Sequence, residues 1–345
     1  MIALLLPVIL LIIFGCFNLL GIKTSLALDQ TINAIIAIIA YIIINKIGYR
    51  FFRANYRFFY WFFIGLLLIT YIIGLEVRGS TRWINLHFFN LQPSELFKVF
   101  YIVFLAEYFS RLKTIIHPWR DLIISFLYAI LPIAIIFKQP DLGNALVYFM
   151  IYVILLFFSK IPKKNVLIIL GGILILIPTS WLFFHDYQRN RIISFINPGI
   201  DQQGNSYNMI QAIITIGSGQ FIGKGLGLGT QSRLYFLPEN HTDFAIASLI
   251  EQFGFIGGTL VLVLLVLIII QLMKKTLKLY KHQPSSSLYG FYYCLGLLVM
   301  LFFQIMLNFG MNLGILPITG ITLPFISYGG SALVTLLCGL ALLPK

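Results

Sequence analysis

The 345 residues are 59% hydrophobic and only 10% charged, with a mean hydropathy of +0.94, and that composition excludes a water-soluble fold. The formal net charge of +13 calls for no nucleic-acid partner, because basic residues retained beside membrane spans and drawn to anionic headgroups account for it. The expectation is an all-α integral membrane protein.

Apolar stretches of spanning length occur at residues 2–22, 30–46, 56–75, 94–110, 120–137, 143–160, 165–185, 242–273, 288–312 and 325–343. They predict about ten transmembrane helices in one polytopic domain, 1–345. The first stretch lacks a basic start and a small-residue cleavage site, so it reads as a helix and not as a signal peptide. Lys46, Arg50, Arg53 and Arg57 follow the second helix, Arg111, Lys113 and Arg120 the fourth, Lys160, Lys163 and Lys164 the sixth, and Lys274, Lys275, Lys278 and Lys281 the eighth. Basic residues stay on the cytoplasmic side, so both termini are expected there, with loops 76–93, 186–241 and 313–324 outside.

Those three loops hold most of the Gly, Asn, Gln and Thr found between spans, the composition of shaped loops and not of flexible linkers. Within the longest, Met209, Ile210, Ile213 and Ile214 stand against Asn208 and Gln211, which predicts a short amphipathic helix in the membrane interface. The glycines of Gly223 to Thr230 follow no strand and lack phosphate-loop spacing, so they are expected to permit positive φ and close backbone approach. Cys16, Cys294 and Cys338 fall inside spans as small hydrophobes, and the five histidines show no zinc spacing. No inverted copy of a broken helix, the mark of many transporters, is evident.

Asp243 is the main catalytic candidate. A loop far longer than a connection needs leads to a carboxylate at the mouth of a membrane helix, which points to function; the alternative is a helix cap beside Thr242. Arg82, Arg189, Arg191, Lys224 and Arg233 lie in outside loops against the usual charge bias. As a set they suit an anionic substrate; singly, each also reads as a headgroup contact. By position alone Trp83 is an interfacial belt residue. Glu95 and Lys98, three apart, can neutralise each other, and Glu251 lies about two turns below Asp243. These buried charges either lock helices together or line a substrate cavity. Gln252 beside Glu251 suggests that an amide is tolerated there. Gln304, Asn308 and Asn312 form a stripe of interhelical glue. Gly254, Gly257, Gly258, Gly290 and Gly296 would allow a partner's helix to approach the eighth and ninth helices.

Several strings carry a family resemblance: GSTRWI at 79–84, QPSELFK at 92–98, KQPDLGNAL at 138–146, YQRNRIISFINP at 187–198, GKGLGLGTQSRLYFLPENHTDF at 223–244 and LPFISYGGSAL at 323–333. Together they resemble the shape, elongation, division and sporulation family of RodA, FtsW and SpoVE, most of all its RodA branch. Gln252, Asn144 and Ala212 depart from the family's usual Glu, Thr and Ser.

The resemblance implies a peptidoglycan glycosyltransferase that polymerises lipid II into glycan strands at the outer face of a bacterial cytoplasmic membrane. It implies Asp243 as the essential loop carboxylate, Trp83 as a substrate contact, and a class B penicillin-binding protein as the transpeptidase partner. No cofactor is fixed by the sequence; a divalent cation, Mg2+ or Mn2+, between a diphosphate and Asp243 is compatible with the resemblance. Two other readings stay open: a flippase for the lipid-linked precursor, and a membrane scaffold that recruits cell-wall synthases.

Overall fold

The computed structural model describes residues 2–77, 80–85, 90–112, 117–180, 189, 193–197, 205–281 and 285–344. Its helices are α1 (Ile2–Ile22), α2 (Thr24–Ile47), α3 (Tyr49–Ala54), α4 (Tyr56–Ile73), α5 (Pro93–Arg111), α6 (Pro118–Lys138), α7 (Leu142–Phe157), α8 (Lys163–Ser180), α9 (Asn205–Ser218), α10 (Thr230–Arg233), α11 (Ala245–Lys281), α12 (Ser285–Asn312) and α13 (Gly330–Ala341). Six of these contain stretches long and apolar enough to cross a membrane, and α7 and α13 are shorter apolar helices. The chain is a multi-pass membrane protein, and the ten expected spans correspond to α1, α2, α4 to α8 and α11 to α13. A buried polar group in such a bundle is costly without an internal partner, because hydrocarbon offers none.

The chain folds as two compact units, Met1–Thr31 with Leu167–Ile268 and Gln304–Tyr328, and Ile32–Val166 with Ile269–Phe303 and Gly329–Lys345. The second unit is built around α5, which packs against α4, α7 and α13. Nearly every side chain of α5 is buried, including Glu95, Lys98 and Glu107. A helix hidden on all sides must neutralise its charges locally, and it does: Glu107 receives Arg53 and Arg111, each at 2.7 Å. Around it stack aromatic rings, with Phe63 against Phe97 and Phe100 and Tyr60 against Phe104. The Tyr60 hydroxyl donates to the Tyr128 carbonyl at 2.7 Å, so the ring is buried with its polar end satisfied.

The loop before α5 contains a small sheet that the sequence did not announce. Strands β1 (Leu75–Val77), β2 (Ser80–Asn85) and β3 (Asn90–Leu91) run antiparallel in that order, pairing Leu75 with Trp83 and Ile84 with Leu91. Ser331, in the first turn of α13, anchors the last strand: its hydroxyl donates to the Asn90 carbonyl and accepts from the Gln92 amide.

In the first unit α11 is broken. Gly254 has φ 69° and ψ −170°, outside the helical region, and the chain from Gln220 to Gly225 closes the gap. The amides of Phe255 and Ile256 donate to the carbonyls of Gln220 and Phe221, while those of Lys224 and Gly225 donate to the carbonyls of Glu251 and Gln252. A Cβ at residue 254 would lie 2.4 Å from Gly223 N, so only glycine fits this contact. Gly254 thus serves internal packing; so do Gly290, close to Leu279 and Pro344, and Gly296, close to Ile102. The amphipathic helix is present as α9. Met209 and Ala212 face a core of Leu237, Phe244, Ala247, Met311 and Ile318, and Ile210, Ile213 and Ile214 point outward.

Candidate active site

Asp243 closes the turn that feeds α11. Glu239, held at φ 53°, starts that turn: its carbonyl accepts from the Thr242 and Phe244 amides and its carboxylate from the Thr242 hydroxyl at 2.8 Å. The Ser248 amide donates to the Phe244 carbonyl, so Phe244 occupies the cap position and Asp243 precedes it. The residue whose side chain caps a helix is the one whose carbonyl takes the first helical bond, which here is Phe244 and not Asp243.

The backbone of Asp243 is gripped from α12. Asn308 Nδ2 and Asn312 Nδ2 donate to its carbonyl at 3.0 and 3.1 Å, and Asn308 Nδ2 also donates to the Ile321 carbonyl at 2.7 Å. Asn308 and Asn312 of the polar stripe are therefore glue, and their object is the candidate catalytic residue, whereas Gln304 Oε1 is buried without a hydrogen-bond partner among the described residues. The loop after α12 completes the grip: Ser327 Oγ donates to the Thr242 carbonyl at 2.6 Å, and the Tyr328 amide donates to the His241 carbonyl at 2.8 Å. The Asp243 carboxylate faces Gly320, where a Cβ would lie 3.7 Å from Oδ2.

Glu251 and Lys224, both expected to bind substrate, are committed to the protein. Glu251 is fully buried and accepts from Lys224 Nζ at 3.2 Å, the Gln231 amide at 2.9 Å, and the amide and hydroxyl of Ser232 at 2.9 and 2.6 Å. It thus caps α10 from across the unit. The Ser232 carbonyl in turn accepts from Asn240 Nδ2, and the Asn240 carbonyl from Ser248 Oγ. A continuous chain of bonds therefore runs from Glu251 to the turn bearing Asp243. Gln252 ties α11 to α1 instead. Its Nε2 donates to the carbonyl and Oδ1 of Asn18, and its Oε1 accepts from the Gly227 amide. The amide at Gln252 therefore says nothing about tolerance at Glu251, because the two side chains point to different partners. Arg233 is exposed and donates through Nη1 to the Gly227 carbonyl. Arg189 is half-buried, and Arg191 lies outside the described residues.

In the second unit, Glu95, Lys98 and Arg82 join one buried network. Lys98 Nζ, with no exposed side-chain surface, lies 2.7 Å from Glu95 Oε2 and donates to Asn144 Oδ1 at 3.0 Å. Asn144 Nδ2 donates to Asp141 Oδ2 at 2.9 Å, where Gln92 Nε2 also donates at 3.2 Å. Arg82 Nη1 approaches Asp141 Oδ1 at 3.6 Å, and the guanidinium donates to the carbonyls of Gln139 and Pro140. Two positive and two negative groups thus balance. Sequence reading missed Asp141, Gln92 and Asn144 as members; the available signal was an acid directly before an apolar span, which needs a buried partner as well as a helix to cap. Trp83 sits half-buried on β2 beside Arg82.

Among the described residues no three His, Cys, Asp or Glu converge as a metal cage. A Mg2+ held mainly by a diphosphate needs only one or two carboxylates, a role Asp243 can fill.

A family model for FtsW, RodA and SpoVE, described as cell cycle protein, matches residues 1–345. The chain is 37% identical over 300 residues to a probable peptidoglycan glycosyltransferase FtsW of Acinetobacter baylyi, spanning 86% of this chain and 73% of that one. It is 36% identical over 276 residues to the peptidoglycan glycosyltransferase MrdB of Escherichia coli K12, spanning 79% and 72%. Among solved structures, a chain of a peptidoglycan synthase complex that coordinates polymerization and crosslinking matches with TM-score 0.82 at 26% identity. A mutant of the Thermus thermophilus rod shape determining protein RodA matches with TM-score 0.74 at 25% identity. Each match covers 99% of this chain and 95% of the other.

Proposed function

The chain belongs to the FtsW, RodA and SpoVE family of cell cycle proteins, and from that membership we propose that it is a peptidoglycan glycosyltransferase. In this reading it polymerises lipid II at the outer face of the bacterial cytoplasmic membrane, for cell elongation and shape, with both termini cytoplasmic. The relatives' names support the reaction class. The observation that carries the assignment of the base is the grip on Asp243: a carboxylate outside the helix cap, its backbone fixed by Asn308 and Asn312.

Chain extension joins a sugar hydroxyl to an anomeric carbon that carries a diphosphate. As the oxygen forms its bond to that carbon, Asp243 accepts the hydroxyl proton and the carbon–oxygen bond to the diphosphate breaks, its electrons leaving with the phosphate. Fixing the backbone of the base lowers the cost of reaching this arrangement. Arg233, Arg189 and Arg191 supply positive charge for the leaving diphosphate, Trp83 is a contact for the lipid-linked sugar, and Arg82 stays with Asp141. A bound Mg2+ or Mn2+ would neutralise diphosphate charge, with Asp243 as its protein ligand. Lys224, Glu251, Glu95 and Lys98 hold the scaffold. Cross-linking falls to a separate class B penicillin-binding protein, in keeping with the crosslinking described for the complex that matches this fold.

The test is purified protein in lipid vesicles given labelled lipid II. The expected result is glycan polymer, lost by at least 100-fold in Asp243→Asn while folding is retained, since positioned base catalysis is worth roughly 10²–10⁴. Near-normal polymer from Asp243→Asn overturns the base assignment, and lipid movement between leaflets without polymer overturns the enzyme.

A further inference from the structure

The tip of the long loop carries an apolar surface that the reaction does not use. Phe221 is 65% exposed and Ile222 77%, and Leu226, Leu228, Leu234, Tyr235 and Phe236 are exposed as well. Exposed aliphatic and aromatic side chains in this number exceed what an aqueous surface normally carries.

Two contacts set the height of this surface. At one end, Phe221 and Ile222 are bonded through the backbone to Phe255 and Ile256 at the break in α11, and the rings of Phe221 and Phe255 stack at 6.1 Å. From Phe255 to Met273 the sequence has no charged residue before Lys274. At about 1.5 Å per residue that stretch rises about 28 Å, close to the roughly 30 Å thickness of a hydrocarbon core. Phe255, Ile256, Leu260, Val263 and Leu267 are all exposed along it, so the loop surface continues the lipid-facing side of the span. At the other end, the Gly227 amide lies where a Cβ on Gly21 would be 2.9 Å away, one residue before the end of α1. Positive φ at Gly223, Gly225 and Gly227, 93°, 99° and 74°, bends the chain so that Leu226 and Leu228 point away from this contact while the backbone stays against it.

We propose that residues 221–236 dip into the acyl region of the outer leaflet as a re-entrant anchor, with the apolar tips in hydrocarbon. The occupant of this surface is lipid, because the surface is continuous with an apolar span and ends where the span ends. The anchor holds the Asp243 turn at headgroup depth, the depth at which a membrane-anchored diphosphate presents itself; that consequence rests on the function proposed above, whereas the anchor does not.

The experiment is Ile222→Trp in the full chain, reconstituted in phosphatidylcholine and phosphatidylglycerol vesicles, with fluorescence compared against the parent protein. The added emission is expected to be blue-shifted, quenched by lipids brominated on the acyl chain and protected from aqueous iodide. Red-shifted emission quenched by iodide overturns the proposal, and emission reached by neither quencher does so too, since it means that protein covers the site. Leu228→Trp gives the same reading should Ile222→Trp not fold. Because no step requires turnover, an inactive protein with an embedded tryptophan refutes the function and keeps the anchor.

Discussion

Glu251 shows how far a buried charge can be misread from its position alone. Its depth suggested either a cavity or a knot, and the four donors that converge on it from Lys224, Gln231 and Ser232 make it a knot. Glu251→Gln should therefore be more damaging to stability than Asp243→Asn. The amide turns an –NH2 toward donors that are already in place and leaves one of them buried without an acceptor, at a cost of about 1–3 kcal/mol. Thermal unfolding in detergent measures this, and equal midpoints for the two variants would contradict it. Lys98 poses the same question in the other unit. Lys98→Met should cost about 3–5 kcal/mol by leaving Glu95 uncompensated, and Lys98→Met with Glu95→Gln should recover part of that loss. A double variant no better than the single one would mean that Glu95 keeps enough other support to stay charged.

At the scale of elements, the decisive feature is the break in α11. The run from Ala245 reads as one long apolar helix, and in composition it is one; the break follows from Gly254, whose φ of 69° is open to few residues other than glycine. Gly254→Ala should lower stability by about 1–3 kcal/mol, from strain at that φ and from the contact with Gly223. Gly65→Ala in α4 is the control: no atom lies within 4 Å of its Cβ position, and the change should be neutral or stabilising by up to ~1 kcal/mol, since alanine suits a helix interior. Thermal unfolding of the pair decides it; similar behaviour of the two variants would show that the bridge to residues 220–225 contributes little. Gly258 differs from Gly254, since a Cβ there meets only Ile250 of the same helix.

For the whole molecule, the proposed function divides polymerisation from cross-linking. No Ser-x-x-Lys occurs in the loops expected outside the membrane, so those loops offer no acyl-transfer nucleophile of the penicillin-binding type. A fluorescent penicillin should leave the purified protein unlabelled, and excess benzylpenicillin should leave its glycan yield unchanged; labelling at a serine of this chain would end the two-protein model. Glycan made by this chain alone should be free of peptide cross-links, which digestion and chromatography of the muropeptides would show.

Hydropathy and charge by themselves determined the class, the number of spans and the loops in which to look, with most span ends within a few residues, although α2 begins six residues before the expected start and α11 runs eight residues past the expected end. These are properties of contiguous residues in a uniform solvent, and hydrocarbon leaves few alternatives to a helix. The motifs of the loops pointed to Asp243. Only the tertiary structure decided what each polar side chain does, because partners such as Asn308 with Asp243, Ser232 with Glu251 and Asp141 with Arg82 lie far apart in the chain, and a polar group inside a bundle is defined by whatever donor or acceptor the fold brings to it. The short sheet around Trp83 was hidden for a related reason: strands of two to six residues carry too little periodicity to stand out and are stabilised by pairing with each other. The break at Gly254 stayed invisible because a glycine in an apolar run permits either a helix or a turn, and here the carbonyls and amides of residues 220–225, supplied from elsewhere in the chain, select the turn.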